Sequence, residues 1–217
     1  MASIYTQFLF LTVTVLLTLF ILQVNGHGRL IRPPSRSSVW RLPEFLSQNP
    51  PINYNDNELF CGGIHQELDP GTNCGVCGDP LSQATPRDNE INGRLYKGII
   101  TGKYSAGQVI EVEVDITAAH KGYMEWRLCT DPSQENQACF NQNLLQLNGN
   151  LGTKVGVDNT GIYRANLRLP DGVKCNHCIL QWNYRAGNNW GVCPDGTGSV
   201  GCGPQETFRG CADIKIT

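Results

Sequence analysis

Two histidines that lie far apart in the chain carry the clearest chemistry of the sequence. His27 stands in VNGHGRLIRPP, just after an uncharged apolar run, and His120 stands where the chain turns after QVIEVEVDITAA. If a protease cut before His27, that residue would offer its new amino nitrogen and its ring Nδ1 to one metal ion as a chelate, since a metal can displace the amine proton at neutral pH. The imidazole of His120 would complete a tetragonal set of three nitrogens, which is typical of copper.

The N-terminal segment predicts such a cut. Residues 8–24 (FLFLTVTVLLTLFILQV) carry no charge, and Val24 and Gly26 place small residues at the positions that signal peptidases prefer. The segment before this run contains no Lys or Arg, so a retained N-terminal anchor is the alternative. We predict a signal peptide over residues 1–26 and a secreted, single-domain mature chain over residues 27–217 that is not attached to a membrane.

The cysteines favour disulfide bonds over metal binding. All ten follow residue 26, and an even number in an exported chain is typical of a framework of up to five bridges. Cys74–Cys77 and Cys175–Cys178 have the C-x-x-C spacing of zinc ligands, but about a hundred residues separate the two pairs, far more than in zinc ribbons. The spacing leaves the pairing open, with Cys129–Cys139 as one candidate. His177, inside the second pair, is expected to be the neighbour of a disulfide.

Acidic residues offer a weaker, hydrolytic alternative. Glu58, Glu67 and Asp69 could supply the two carboxylates of a glycosidase, but acidic loops commonly contain such groups. His65, in the same stretch, is expected to be a surface residue. The formal net charge of −2 gives no reason to expect nucleic-acid binding.

Several short strands must position these residues. Alternation of apolar and polar side chains with a period of two is typical of a half-buried strand, and no long segment has the period of a helix. The predicted strands are QVIEVEVDI (108–116), YMEWRLC (123–129), YRANLRL (163–169), CILQWNYR (178–185) and FRGCADIKI (208–216). Residues 27–105 are irregular, with one hint of a short helix at residues 56–68. This pattern predicts an all-β, antiparallel β-sandwich with long loops stapled by disulfides.

Six stretches carry a resemblance to a known family. They are HGRLIRPPSR, NDNELFCGG, NCGVCGDP, TAAHKGYMEWRLC, LQWNYRAGNNWG and ETFRGCADI, and they span nearly all of residues 27–217. In this order they resemble the lytic polysaccharide monooxygenases of auxiliary activity family 15, known from insects and other eukaryotes including some ferns. The resemblance implies an immunoglobulin-like or fibronectin-III-like sandwich that holds one copper ion.

The resemblance also assigns roles at the copper ion. His27 would give its amine and Nδ1, and His120 its ring nitrogen. Ala118 matches the small residue that crowds one axial side, and Phe208 falls at the axial aromatic position. Since Glu206 lies two residues before Phe208, strand geometry points both side chains to one face, where Glu206 could hydrogen-bond the oxygen co-substrate. The alternative for Glu206 is an exposed loop carboxylate.

The implied activity is oxidative cleavage of crystalline polysaccharide, chitin first and cellulose second, by a monomer that uses a reductant with oxygen or hydrogen peroxide. A flat face would receive the substrate, with Tyr54, Tyr104, Tyr123 and Trp190 as stacking candidates, although some of these rings could belong to the core. Defence against chitin-containing organisms is one possible role. The alternative function is a non-catalytic secreted chitin-binding protein or toxin, which copper binding would distinguish.

Overall fold

The computed structural model describes residues 27–64 and 74–217. The predicted signal peptide over residues 1–26 lies outside this range, as do His65, Glu67 and Asp69. Within the described residues, no helix is long and apolar enough to cross a bilayer.

Strands dominate the described part of the chain. They are β1 (His27–Arg32), β2 (Gly102–Tyr104), β3 (Val109–Ala118), β4 (Tyr123–Cys129), β5 (Gln146–Leu147), β6 (Val155–Gly156), β7 (Gly161–Arg168), β8 (Cys175–Arg185), β9 (Trp190–Val192), β10 (Gly198–Val200) and β11 (Thr207–Ile216). One sheet has the order β1-β3-β7-β5 and the other the order β2-β11-β8-β4-β6, while β9 and β10 form a separate hairpin. All pairings are antiparallel except that of β2 with β11. The predicted all-β sandwich is therefore confirmed.

The core lies between the two sheets and follows the alternation in the sequence. Ile110, Val112, Val114 and Ile116 of β3 are buried, as are Leu180, Trp182 and Tyr184 of β8. The acidic residues between them on β3 face outward, so one face of that strand packs and the other is solvated, whereas residues 178–184 of β8 are buried on both faces. Each large apolar side chain buried in this way contributes roughly 1.5–3 kcal/mol.

Helices are short in the described residues. The α-helix α1 (Gln137–Asn141) begins at Asn136, whose side chain accepts a hydrogen bond from the Cys139 backbone N–H. The 3-10 turns are Val39–Arg41, Pro43–Gln48 and Pro132–Gln134. The helix hinted at from residue 56 is absent over residues 56–63 because Cys61, Gly62 and Gly63 have positive φ, which interrupts a right-handed helix.

Five disulfides account for all ten cysteines. They are Cys61–Cys74, Cys77–Cys211, Cys129–Cys139, Cys175–Cys178 and Cys193–Cys202. The predicted bridge within residues 129–139 is confirmed. The zinc alternative is wrong, because the members of the first C-x-x-C pair bond to cysteines elsewhere and those of the second bond to each other. Cys61–Cys74 closes a part of the long N-terminal loop on itself, and Cys77–Cys211 ties this loop to β11.

Candidate metal centre

The sheet register brings the two predicted histidine positions together. His27 is the first residue of β1 and pairs with Ala118, the last residue of β3. His120 follows two residues later, so both imidazoles and the small side chain of Ala118 lie at one end of the sandwich. His27 is half-buried, whereas only 6 % of His120 is exposed. Strand pairing thus brings together two histidine positions that lie far apart in the sequence.

The start of β11 adds the other two predicted residues. Phe208 pairs with Tyr184, and its fully buried ring stacks on the tyrosine with 5.6 Å between centroids. Glu206 Oε2 lies 2.9 Å from Nδ1 of His120, a contact that sequence reasoning did not anticipate. The alternative of an exposed loop carboxylate does not hold, since only 9 % of Glu206 is exposed.

The turn that carries His120 has an unusual backbone. Lys121 and Gly122 both have positive φ, at 52° and 86°. A Cβ on Gly122 would lie 2.1 Å from the carbonyl oxygen of Arg185, so only glycine fits there. The Gly187 N–H donates to the carbonyl of His120 at 2.8 Å. The loop after β8 therefore fixes the turn from one side.

The side chain of Tyr184 also fixes this turn. Its hydroxyl accepts a hydrogen bond from the His120 backbone N–H at 2.9 Å and donates one to the carbonyl of Lys121 at 2.7 Å. Burial raises the pKa of Tyr184 to about 12, so the phenol keeps the proton that it donates at neutral pH. Sequence reasoning identified this residue only as part of the core, because periodicity shows that a side chain is buried but not what its polar end contacts.

Replacing Tyr184 with phenylalanine is expected to loosen the His120 turn. The variant loses two hydrogen bonds at a buried site, at a cost of about 1–3 kcal/mol, which corresponds to a fall in Tm of roughly 2–12 °C. Copper affinity should fall by ~10–100-fold, as when an outer partner of a metal ligand is lost. Thermal unfolding and titration calorimetry with Cu²⁺ measure the two effects.

Tyr163→Phe is the matched control for this prediction. The hydroxyl of Tyr163 likewise bridges a turn, bonding the backbone of Asp158 and Asn159. This variant should lower Tm without changing copper affinity. Equal losses of copper affinity in both variants would contradict the specific role of Tyr184.

The surroundings of the two imidazoles suit a copper ion. Nε2 of His27 lies 3.4 Å from Oε1 of Glu58, and Nδ1 of His120 faces Glu206. The nitrogens that would ligate a metal are therefore Nδ1 of His27, on the side of its own backbone nitrogen, and Nε2 of His120. With the amine that cleavage would create, these donors form the all-nitrogen set that copper prefers. The residues present fit the metal that the sequence predicts.

The four aromatic candidates fall into two groups. Tyr54 is 76 % exposed and Trp190 67 % exposed, so both rings can contact a large substrate. Tyr104 is wrong as a candidate, because it packs against the core and pairs with Ile216 at the far end of β11. Tyr123 lies at the histidine end, but Lys154 Nζ covers its ring at 4.0 Å.

The hairpin that carries Trp190 is tied to the candidate site. Trp190 pairs with Val200, and both side chains are exposed together with Val192. The side chain of Gln205 accepts from the Asn189 N–H at 3.0 Å and donates to the Asn189 carbonyl at 2.9 Å. Since Gln205 directly precedes Glu206 in the chain, this apolar hairpin is held beside the histidine end of the sandwich.

His177 lies elsewhere, in a buried ion network. Its Nε2 is 2.7 Å from Oδ1 of Asp213, and its ring stacks on Tyr96 with 6.5 Å between centroids. Asp213 also receives two hydrogen bonds from the buried guanidinium of Arg36, which contacts Glu135 as well. The residues on either side, Cys175 and Cys178, form a disulfide, so the prediction that His177 neighbours a bridge is confirmed.

Comparisons with known proteins agree with this geometry. The family model described as lytic polysaccharide mono-oxygenase, cellulose-degrading, matches residues 27–214. Among solved structures, the chain is similar to a lytic polysaccharide monooxygenase of family AA15 from Thermobia domestica in the Cu(I) state. The two share 46 % sequence identity over 88 % of this chain and 98 % of that chain, with a TM-score of 0.81. This likeness confirms the expected immunoglobulin-like sandwich.

More distant likeness shows the fold alone. A chitin binding domain from Burkholderia pseudomallei aligns over 89 % of this chain and 100 % of that chain, at 14 % identity and a TM-score of 0.51. No curated protein sequence gives a significant match.

Proposed function

The chain belongs to the lytic polysaccharide monooxygenases, in auxiliary activity family 15. We propose that it acts as a secreted, monomeric enzyme with chitin as its preferred substrate and cellulose as its second. Enzymes of this family are copper-dependent and cleave polysaccharides oxidatively. We assign the copper ligands to the amine and Nδ1 of His27 and to Nε2 of His120. The assignment requires removal of residues 1–26.

One observation carries the assignment. The pairing of His27 with Ala118 sets His27 beside the turn that holds His120, although the two histidines lie 93 positions apart in the sequence. Three hydrogen bonds fix the backbone of that turn: the hydroxyl of Tyr184 accepts one and donates one, and the Gly187 N–H donates the third. A pair of imidazoles held in this way needs little rearrangement to bind a metal, which favours tight binding.

The remaining residues would shape the copper site. Bound copper supplies one-electron redox chemistry that activates oxygen or hydrogen peroxide in the presence of a reductant. By their matches to the family positions, Ala118 would crowd one side of the site, and Phe208 would place a phenyl ring near it that offers no ligating atom. Glu206 contacts Nδ1 of His120 and would orient that ring. Its predicted hydrogen bond to the oxygen co-substrate would require the carboxylate to leave this contact, because Nδ1 lies on the ring edge opposite Nε2.

The exposed, apolar face favours a solid polysaccharide as the substrate. Crystalline polysaccharide cannot enter a deep pocket, whereas exposed rings such as Tyr54 and Trp190 can stack on sugars. The resemblance to family 15 favours chitin, while the matching family model is described for cellulose. Activity on chitin would suit defence against chitin-containing organisms.

Product analysis tests this proposal against a non-catalytic chitin-binding protein or toxin. Secreted protein, with its N-terminal residue established by mass spectrometry, is loaded with Cu²⁺ and incubated with ascorbate and either chitin or cellulose. We expect oxidised oligosaccharides from chitin in larger amounts than from cellulose, and none after copper is removed with a chelator. Binding to chitin without oxidised products would favour the non-catalytic alternative.

A further inference from the structure

Residues 54–61, which we call the clamp loop, cross the start of β1 and are anchored by a buried aspartate. The carboxylate of Asp56 is fully buried and bonds Arg29 Nη1 at 2.9 Å and Arg41 Nε at 2.6 Å. Arg29 in turn reaches Asp115 of β3 at 2.8 Å. A buried carboxylate with two arginine partners is costly to displace. The first half of the clamp loop is therefore held in place against β1.

The next residue bonds both strands of the histidine end. The carbonyl of Asn57 accepts from the backbone N–H of Gly28 at 2.9 Å, directly after His27. Its side-chain amide donates to the hydroxyl of Thr117 at 3.0 Å, one residue before Ala118. Asn57 thus ties the clamp loop to both β1 and β3, next to the pair of His27 with Ala118.

The second half of the clamp loop bonds the opposite sheet. The carbonyl of Leu59 accepts from the Arg209 N–H of β11 at 3.1 Å. The ring of Phe60 packs on that of Phe208, with 6.3 Å between centroids. Cys61 closes the loop through its bridge to Cys74. Glu58 therefore lies between two residues that are each hydrogen-bonded to a different sheet.

This placement aims the Glu58 carboxylate at one nitrogen of His27. Oε1 of Glu58 lies 3.4 Å from Nε2 of His27, and the carboxylate side chain is 45 % exposed. An ionised carboxylate can accept a hydrogen bond but cannot donate one. This contact therefore favours the ring tautomer with hydrogen on Nε2 and a lone pair on Nδ1. Only that tautomer can chelate a metal through Nδ1 and the amine of the same residue.

We propose that Glu58 is a positioning residue that holds the His27 ring in its metal-binding tautomer and orientation, with the clamp loop as its rigid support. The inference rests on the proposed function and assigns one of its residues. It also replaces the hydrolytic role considered for Glu58 from sequence, since the carboxylate contacts an imidazole at the proposed copper site.

Two variants separate the contribution of Glu58 to ring orientation from that of its negative charge. Glu58→Ala removes both, so copper affinity should fall by ~10–100-fold, the usual cost of losing an outer partner of a histidine ligand. Glu58→Gln keeps an oxygen that can accept from Nε2 but carries no charge, so its loss should be smaller than that of the alanine variant. A purely electrostatic role would instead make the two variants equal.

Nitrogen-15 NMR of the copper-free protein tests the tautomer directly. The secreted full-chain product that begins at His27 should show the Nε2–H tautomer of that residue as the main form. In Glu58→Ala the share of the Nδ1–H tautomer should rise above its wild-type level, while Glu58→Gln should resemble the wild type. Titration calorimetry with Cu²⁺ and electron paramagnetic resonance then follow the loss of affinity and the change in ligand geometry.

Controls distinguish failure of this inference from failure of the proposed function. Glu111→Ala removes an exposed glutamate near the opposite end of β3 and should match the wild type in every measurement. If wild-type protein begins at His27 and binds copper through three nitrogens, but Glu58→Ala has the same tautomer and affinity, Glu58 has no positioning role. If wild-type protein does not bind copper in this way, the proposed function itself fails.

Discussion

Replacing His120 with alanine is expected to abolish tight Cu²⁺ binding and the release of oxidised oligosaccharides. The variant removes one of three nitrogens from the proposed ligand set, so the loss in affinity should exceed the ~10–100-fold that follows from losing an outer partner. Calorimetry measures the affinity, and electron paramagnetic resonance reports the ligands. Circular dichroism establishes that the variant folds, which matters because Glu206 loses the ring that it contacts.

Two further variants separate the ligand role of His120 from general damage. His177→Ala removes a histidine near the other end of β8 and should leave Cu²⁺ affinity unchanged. One alanine inserted before His27 keeps both rings but moves the terminal amine away from Nδ1, and it should weaken binding about as strongly as loss of the ring. Wild-type copper spectra from His120→Ala would contradict the ligand assignment.

Much of the fold was predictable because β3 alternates strictly between apolar and acidic residues over residues 110–116. β3 carries β-branched residues at every second position and acids between them, and the predicted strand at residues 123–129 has the observed bounds of β4. Burial on one face requires a period of two, which is a local property of the sequence. The short strands β5 and β6 have two residues each, too few for any periodicity, and they form because neighbouring strands offer unpaired edges.

The proposed copper ligands could be chosen from the sequence, whereas the residues that support them could not. His27 owes its chemistry to its place after an apolar run, and His120 to its place after a strand; both are visible in sequence. The contacts of Glu58 and Tyr184 depend on how the clamp loop and β8 fold over the sheets, which no local pattern encodes. Disulfide pairing was open for the same reason, with Cys129–Cys139 as one candidate because it closes a short loop.

The largest loss of stability is expected from Asp213→Ala. This carboxylate accepts two hydrogen bonds from the buried guanidinium of Arg36, at 2.8 and 2.7 Å, and contacts His177. Removing one member of a buried ion pair costs about 3–5 kcal/mol, because the remaining charge stays out of water. For a domain of this size Tm should fall by roughly 6–20 °C in a calorimetric scan. Asp171→Ala, which breaks an exposed pair with Arg168, should change stability by less than about 1 kcal/mol.

The pH dependence of this loss identifies the ion pair as its cause. Burial raises the pKa of Asp213, but hydrogen bonds and charge from Arg36 and His177 outweigh burial and hold the pKa below its ordinary value of 3.8. Folding therefore favours the ionised carboxylate, so its contribution is complete above that ordinary value and disappears as the pH falls through the lower folded-state pKa. Since Asp213→Asn cannot ionise, its free energy of unfolding should approach that of the wild type in strong acid. A difference between the two that stays constant from pH 7 to pH 2 would mean that packing, not charge, makes Asp213 important.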